Sequence, residues 1–415
     1  MKSHPSLIQR REYLESILKH EVRAEEMQKY ENMAKTNDLA RVADILEKGA
    51  VNRRDFLKRT GQVALAIGGG LTLDVLFKGC ATIGFESRED IAKIKWDANP
   101  AIPVPKEGCY VGWHYDISPM TVGIYRALFR KLESSDEEIL INKHYEKYYG
   151  QGPAVHSFSN RLIGDDFFPK QICEGAYNKG VIPLLRYYFF PDFKRVAKGD
   201  YDKLLIKFAQ GAKEFGKPFF FVPYPEANIV SRFKDVHPWA GSGGKGFNEA
   251  WKHMHDIFEG EGANEYAVWG LHLIGLDSGQ PFSRFAVDKN LVDWVGFTVY
   301  NLVEQSGGLD RSFYELIGQQ NVYGWARLRY PEKPIALCEF GTSNTVGQGR
   351  WIRNAYKGIK NMPRIKLVVY AEYPMFSPPD STVISDEAKP YYKEAISDPY
   401  FIGAPVPFLE KYNRV

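Results

Sequence analysis

At 415 residues, 44% hydrophobic and 25% charged, the chain is long enough to bury one large core with an appendage, and its composition excludes a disordered or membrane-embedded protein. A formal net charge of +3 with scattered basic residues argues against a nucleic-acid partner. The four cysteines, Cys80, Cys109, Cys173 and Cys338, have no metal-site spacing, so no zinc or other cofactor is expected, and Cys338 reads as a small core residue. Residues 1–51 form a charged extension. In it Leu14, Ile17, Leu18 and Val22, then Leu39, Val42, Ile45 and Leu46, recur at helical spacing, which predicts one or two exposed amphipathic helices with no visible chemistry.

Residues 52–80 follow a different grammar. Asn52-Arg53-Arg54-Asp55-Phe56-Leu57-Lys58 precedes Val63-Ala64-Leu65-Ala66-Ile67 and three glycines. A paired arginine, an aromatic-Leu-Lys step and a weakly apolar stretch resemble a twin-arginine export signal. The apolar core is short and is interrupted by Asp74, which disfavours a transmembrane helix. The segment ends in Lys78-Gly79-Cys80, which has the Gly-Cys of a lipoprotein cleavage site but a lysine where a small residue is expected, making Cys80 the candidate for a lipid anchor. The resemblance implies passage through the twin-arginine translocation machinery to the periplasm or cell surface, with any anchoring through an uncleaved signal or Cys80. Residues 81–104 read as a linker.

From 105 to 415, short apolar runs alternate with polar helical stretches, the pattern of repeated βα units. Strands are expected at 110–116, 139–145, 181–187, 219–222, 266–272, 292–300, 334–341 and 365–373. Helices are expected at 169–178, at 201–215 with Gly216 as the stop, and at 247–258, 312–328, 350–360 and 386–396. Eight strands with their helices fit an α/β fold of the (β/α)₈ TIM barrel type, whose functional rim is the C-terminal end of the strands. An open doubly wound sheet is disfavoured, because no glycine-rich phosphate loop follows an early strand. The fourth run leads through Pro223-Tyr224-Pro225 into Glu226, and the seventh carries Glu339 near its end. Two carboxylates on separate strand ends are the minimum equipment for glycoside hydrolysis.

The region from 181 to 277 resembles glycoside hydrolase family 26, retaining clan A barrels best known for endo-β-1,4-mannanases. The matching pieces are Val181-Ile182-Pro183-Leu184, Lys198-Gly199-Asp200-Tyr201-Asp202, the stretch 223–228, Phe247-Asn248-Glu249-Ala250-Trp251-Lys252-His253 and the stretch 262–269. Further on, Val292-Asp293-Trp294-Val295-Gly296, Lys333-Pro334-Ile335-Ala336 and Glu339-Phe340-Gly341 continue the resemblance, which spans about Gly108 to the C-terminus. It implies a polysaccharide or oligosaccharide substrate, with Glu226 as acid/base and Glu339 as nucleophile, their carboxyls about 5 to 5.5 Å apart. Those roles ask for a raised pKa at Glu226 and a low one at Glu339.

The resemblance further implies that Tyr300 donates a hydrogen bond to the nucleophile. Two positions depart from the family pattern: Pro225 stands where a histidine usually precedes the acid/base, and Thr298 where an aspartate usually lies two residues before the tyrosine. Both usual groups touch the sugar beside the cut in mannanases, so the chemistry carries over further than the sugar does. Rim candidates for substrate contact are His114, Asp116, Trp113, Arg186, Trp269, His272 and Asp277, with Glu372 as a reserve carboxylate. The leading expectation is an exported retaining hydrolase of a β-linked polysaccharide. Its competitor is a catalytically degenerate carbohydrate-binding barrel.

Overall fold

A computed structural model of the protein describes residues 88–115, 145, 149–161, 168–188, 192–230, 237, 239–275, 279–303, 310–319, 322–345, 347–373 and 381–413. The helices expected in 1–51, the twin-arginine segment, Cys80, Asp116 and Asp277 lie outside the described residues.

Eight parallel strands close on themselves. They are β1 (Cys109–Tyr115), β2 (Val155–Arg161), β3 (Ile182–Tyr188), β4 (Phe219–Val222), β5 (Ala267–Ile274), β6 (Trp294–Asn301), β7 (Ile335–Thr342) and β8 (Ile365–Glu372). Each pairs with the next, and β8 returns to β1 over six residue pairs from Tyr110 with Leu367 to Tyr115 with Glu372. The result is the (β/α)₈ barrel that the alternating pattern predicts. Runs such as Phe219–Val222 are continuous rather than alternating because one face meets the barrel interior and the other the helices, so both are buried.

The second strand differs from expectation. Residues 139–144 lie outside the described residues, Tyr145 is helical, and the strand between β1 and β3 is β2. Its sequence, Val-His-Ser-Phe-Ser-Asn-Arg, alternates. Ser159 faces inward to reach Arg186, while the rings of His156 and Phe158 lie tilted against each other, 4.3 Å apart, on the other face. A search for apolar runs passes over such a strand.

A short helix, α1 (Arg88–Ala92), precedes β1, and after it come α2 (Lys170–Tyr177), α3 (Phe193–Ala197), α4 (Asp202–Phe215), α5 (Phe247–Glu261), α6 (Phe313–Gln319), α7 (Val322–Arg329), α8 (Gln348–Lys360) and α9 (Lys389–Ile396). The single helix expected at 312–328 is thus the pair α6 and α7. α4 stops where expected: Gly216 takes a left-handed φ of 64° and returns its N–H to Ala212 O. α5 buries Phe247, Ala250, Trp251, Met254 and Phe258, a stripe at three- and four-residue spacing laid on the barrel. Against this stripe stand Phe208 of α4, Phe221 of β4 and Trp269 of β5, with ring centroids 4.9 to 5.9 Å apart where they meet one another and Phe258. Burying each such ring contributes about 2 to 3 kcal/mol.

Residues 88–104 close the N-terminal end of the barrel. Ile91 and Ile102 are buried, Asn99 N donates to Asp293 Oδ1 at 2.7 Å, and Asn99 Nδ2 donates to Asn264 O at 2.8 Å. Near the C-terminus, β9 (Phe401–Ala404) lies parallel beside the start of β1 and antiparallel to Gly152–Pro153. Among the described residues no helix is long and apolar enough to cross a membrane.

Candidate active site

Glu339 owes its orientation to an irregularity. Along the β6–β7 ladder Phe297 pairs with Leu337 but Thr298 with Glu339, so Cys338 is the extra residue of a bulge. Strict alternation would send Cys338 and Glu339 to opposite faces. With the bulge both point inward: Cys338 Sγ sits directly over Gly296, and the Glu339 carboxyl reaches across the barrel. There Arg186 Nη1, from β3, donates to Oε1, while Oε2 accepts from Tyr300 Oη at 2.9 Å and Tyr373 Oη at 3.1 Å. Arg186 Nη2 is fixed by Ser159 Oγ at 2.7 Å. Arg186 is 0% exposed, so its guanidinium serves the carboxylate and not the open rim where the sequence reading puts it. Burial, the first cause, pushes the Tyr300 hydroxyl well above its ordinary range, which keeps it a proton donor to Glu339.

Glu226 follows β4 through Pro223-Tyr224-Pro225, and its φ of 51° is the only positive value at a non-glycine position among the described residues. Such a conformation costs about 1 to 3 kcal/mol and persists only where the surroundings enforce it. The enforcement is visible. Ala227 N donates to His272 O at 2.9 Å and Ile229 N to Glu226 O at 2.9 Å. Fully buried Asn228 donates to Ile274 O at 3.0 Å and Gln280 O at 2.8 Å, and accepts from Ile274 N at 2.8 Å.

The Glu226 carboxyl meets His237 Nε2 through Oε2 at 3.2 Å and is hydrogen-bonded to the Thr298 hydroxyl. That hydroxyl in turn accepts from His272 Nε2 at 2.9 Å. Burial alone raises the carboxyl, but the hydrogen bond and charge of His237, helped by His272 and Thr298, outweigh it and hold Glu226 below its ordinary pKa. This reverses the raised value expected for an acid/base. Thr298, which bonds Glu226, and Tyr300, which bonds Glu339, stand two residues apart on β6 and so share its inward face, which brings the two carboxylates into one interior space.

Two further histidines line this space. His272 is held neutral, at about 3, chiefly by burial. His114 is likewise pushed well below its ordinary value by burial, with Arg186 adding to the effect. Its Nδ1 donates to Ser157 O at 2.7 Å, which leaves Nε2 a buried acceptor with no partner among the described residues. The His114 ring lies 5.4 Å from Tyr373.

Trp269, Trp113 and Glu372 are not in this space. Trp269 is three residues before the inward-facing His272 and so faces outward, where its Nε1 donates to Asn264 Oδ1 at 2.9 Å and its ring packs on Phe221 and Trp251. It is a wall residue and not a sugar platform. Trp113 also faces outward and donates to Glu372 Oε1 at 3.3 Å, as does Tyr149 Oη at 3.2 Å. Glu372, pushed up to about 7 by burial, therefore stands behind the barrel wall and apart from the Glu226–Glu339 pair. Sequence reasoning missed Tyr373, Ser159 and His237. Tyr373 closes the last expected strand and had a positional signal; His237 lies in a loop and had none. Among the described residues no group of three or more His, Cys, Asp or Glu side chains is arranged to hold a metal.

No protein-family model matches the chain. Among curated proteins it is similar to endoglucanase H of Acetivibrio thermocellus, 28% identical over 219 residues, which is 50% of this chain and 23% of that protein. The match thus spans less than a quarter of the relative's length. Among solved structures, the catalytic domain of the Bacillus sp. JAMB-750 GH26 endo-β-1,4-mannanase superposes with a TM-score of 0.51 at 15% identity, covering 71% of this chain and 87% of that one. A GH26 β-mannanase from Bacteroides ovatus gives 0.50 at 14%, covering 77% and 96%. At these identities the likeness is one of fold.

Proposed function

We propose that the protein is a glycoside hydrolase of the family 26 type that cleaves a β-linked polysaccharide with retention of configuration. Glu339 attacks the anomeric carbon while Glu226 protonates the departing glycosidic oxygen. Glu226 then takes a proton from water, and that water releases the sugar from Glu339. The observation that carries this reading is the Glu339 carboxylate, buried in the C-terminal half of β7 under Arg186, Tyr300 and Tyr373, in the same interior space as Glu226. Three donors keep the nucleophile ionised and aimed. His114 Nε2 suits a sugar hydroxyl, because a buried neutral imidazole with Nδ1–H already committed can only accept.

The names of the proteins it resembles, an endoglucanase and endo-β-1,4-mannanases, support a β-linked glucan or mannan as substrate. Pro225 and Thr298 stand against simple transfer of mannan specificity. Export to the periplasm or cell surface through Arg53-Arg54, with Cys80 as lipid anchor, belongs to the same proposal and is tested by the location of the Arg53→Lys, Arg54→Lys protein. A second reading, a carbohydrate-binding barrel without turnover, is favoured by one observation: Glu226 is held below its ordinary pKa, the opposite of what a proton donor needs. Product analysis on mannan, xylan and mixed-linkage glucan separates them. Hydrolysis is expected with the first product retaining its anomeric configuration, and Glu226→Ala or Glu339→Ala should lose about a thousandfold or more in kcat. Binding without cutting by the wild type would replace the first reading with the second.

A further inference from the structure

Glu226 meets a histidine that the strand pattern does not supply. His237 belongs to the loop between β4 and α5, and its Nε2 lies 3.2 Å from Glu226 Oε2, with the two side chains only 7% and 10% exposed. The residue is held at backbone and ring: its backbone carbonyl accepts from Ala240 N at 2.8 Å, Gly241 N returns to Ile229 O at 3.2 Å, and the ring packs 5.5 Å from Trp239. Trp239 in turn stands edge-on to Tyr224 at 5.1 Å. Tyr224 is two residues before Glu226, so the loop that brings the imidazole and the strand end that brings the carboxyl are packed as one unit.

We infer that His237 is a positioning residue for Glu226: by holding Oε2 it orients the carboxyl toward the glycosidic oxygen and governs when that carboxyl carries a proton. The inference rests on Glu226 being the proton donor of the proposed hydrolysis. Two influences oppose each other at this group. Burial favours the protonated acid, and the imidazole favours the ionised one. The other groups facing Glu226 are His272 on β5 and Thr298 on β6, with Tyr300 on β6 next to it, Glu339 across on β7, and Arg186 acting on His272 from β3. All of them remain when His237 is replaced. Removal of the imidazole leaves burial less opposed, so the proton affinity of Glu226 rises, and a carboxyl that has lost its anchor delivers its proton less well.

The test uses the full chain as wild type, His237→Gln and His237→Phe. The Glu226 carboxyl is titrated by NMR with carboxyl-labelled glutamate, and kcat/KM is followed against pH on aryl glycosides with good and poor leaving groups. In His237→Phe the Glu226 midpoint is expected to rise by about one pH unit, less in His237→Gln, which keeps a neutral donor. The alkaline limb of kcat/KM should move up with it, and the rate loss should be larger for the poor leaving group, which depends on protonation. Midpoints within about 0.2 units of wild type in both variants overturn the inference. So does an equal rate loss for both leaving groups with an unmoved limb, the pattern of a merely structural histidine. If no glycoside is turned over but the midpoints move, the hydrolase reading fails and the hold of His237 on Glu226 stands.

Discussion

Arg186 and Tyr373 both touch Glu339, yet their removal should be felt differently. Among the described residues Arg186 brings the only guanidinium charge at the carboxylate, with 0% of its own surface exposed. Arg186→Ala leaves Glu339 buried opposite no cation, a loss on the order of 3 to 5 kcal/mol. Tyr373→Phe removes one neutral hydroxyl and should cost about 1 to 3 kcal/mol. Urea unfolding of both variants checks the order; equal losses would mean that the cation is not what neutralises the carboxylate. Glu372 makes a separate prediction. Its pKa in the fold is pushed up to about 7, above the ordinary carboxyl value, so the folded state holds the extra proton between those limits. Its contribution to stability is complete below the ordinary carboxyl pKa and is lost as pH rises through about 7. Glu372→Gln, which mimics the protonated acid toward Trp113 and Tyr149, should flatten the fall in melting temperature between pH 5 and pH 8 and melt higher than wild type at about pH 8. Parallel wild-type and variant curves would sink this.

Among the elements, the bulge at Cys338 decides where the Glu339 carboxyl points, and Gly296 is its mould. A methyl group at Gly296 would collide with Cys338 Sγ, so Gly296→Ala should destabilise by about 1 to 3 kcal/mol through overpacking and disturb the Glu339 register. Adding Cys338→Ala should recover part of the stability, measured by thermal unfolding; no recovery would place the clash elsewhere. The same elements explain what the sequence could and could not reveal. Seven of the eight strands were legible, because a strand buried on both faces reads as an uninterrupted apolar run. β2 was not, since its inward face carries the serines 157 and 159, with Ser159 Oγ accepting from Arg186 and the Ser157 carbonyl accepting from His114. Glu226 and Glu339 were legible as carboxylates ending such runs. Trp269 was misplaced, although counting by twos from His272 puts it on the outer face. Cys338 hid the bulge because one extra residue leaves no trace in composition, and the influence of His237 on Glu226 depends on a loop contact that no period encodes.

At the level of the whole molecule, the barrel is finished by chain that lies outside its strands. Residues 88–104, which read as a linker, bury Ile91 and Ile102 and tie Asn99 to Asp293 and Asn264 at the N-terminal end of β5 and β6. A chain trimmed to 105–415 exposes that apolar surface and strips Asp293 of one backbone donor. It should therefore unfold at a lower temperature than one trimmed to 88–415, by differential scanning calorimetry. Identical transitions would show the segment to be an ornament. The same stopper also fixes a heading. Residues 97–99 meet the barrel at its floor, through Asp97 to Glu332 and Asn99 to Asp293 and Asn264, while Glu226 and Glu339 open from the opposite end, so a tether fastened on that side would leave the mouth facing away from it.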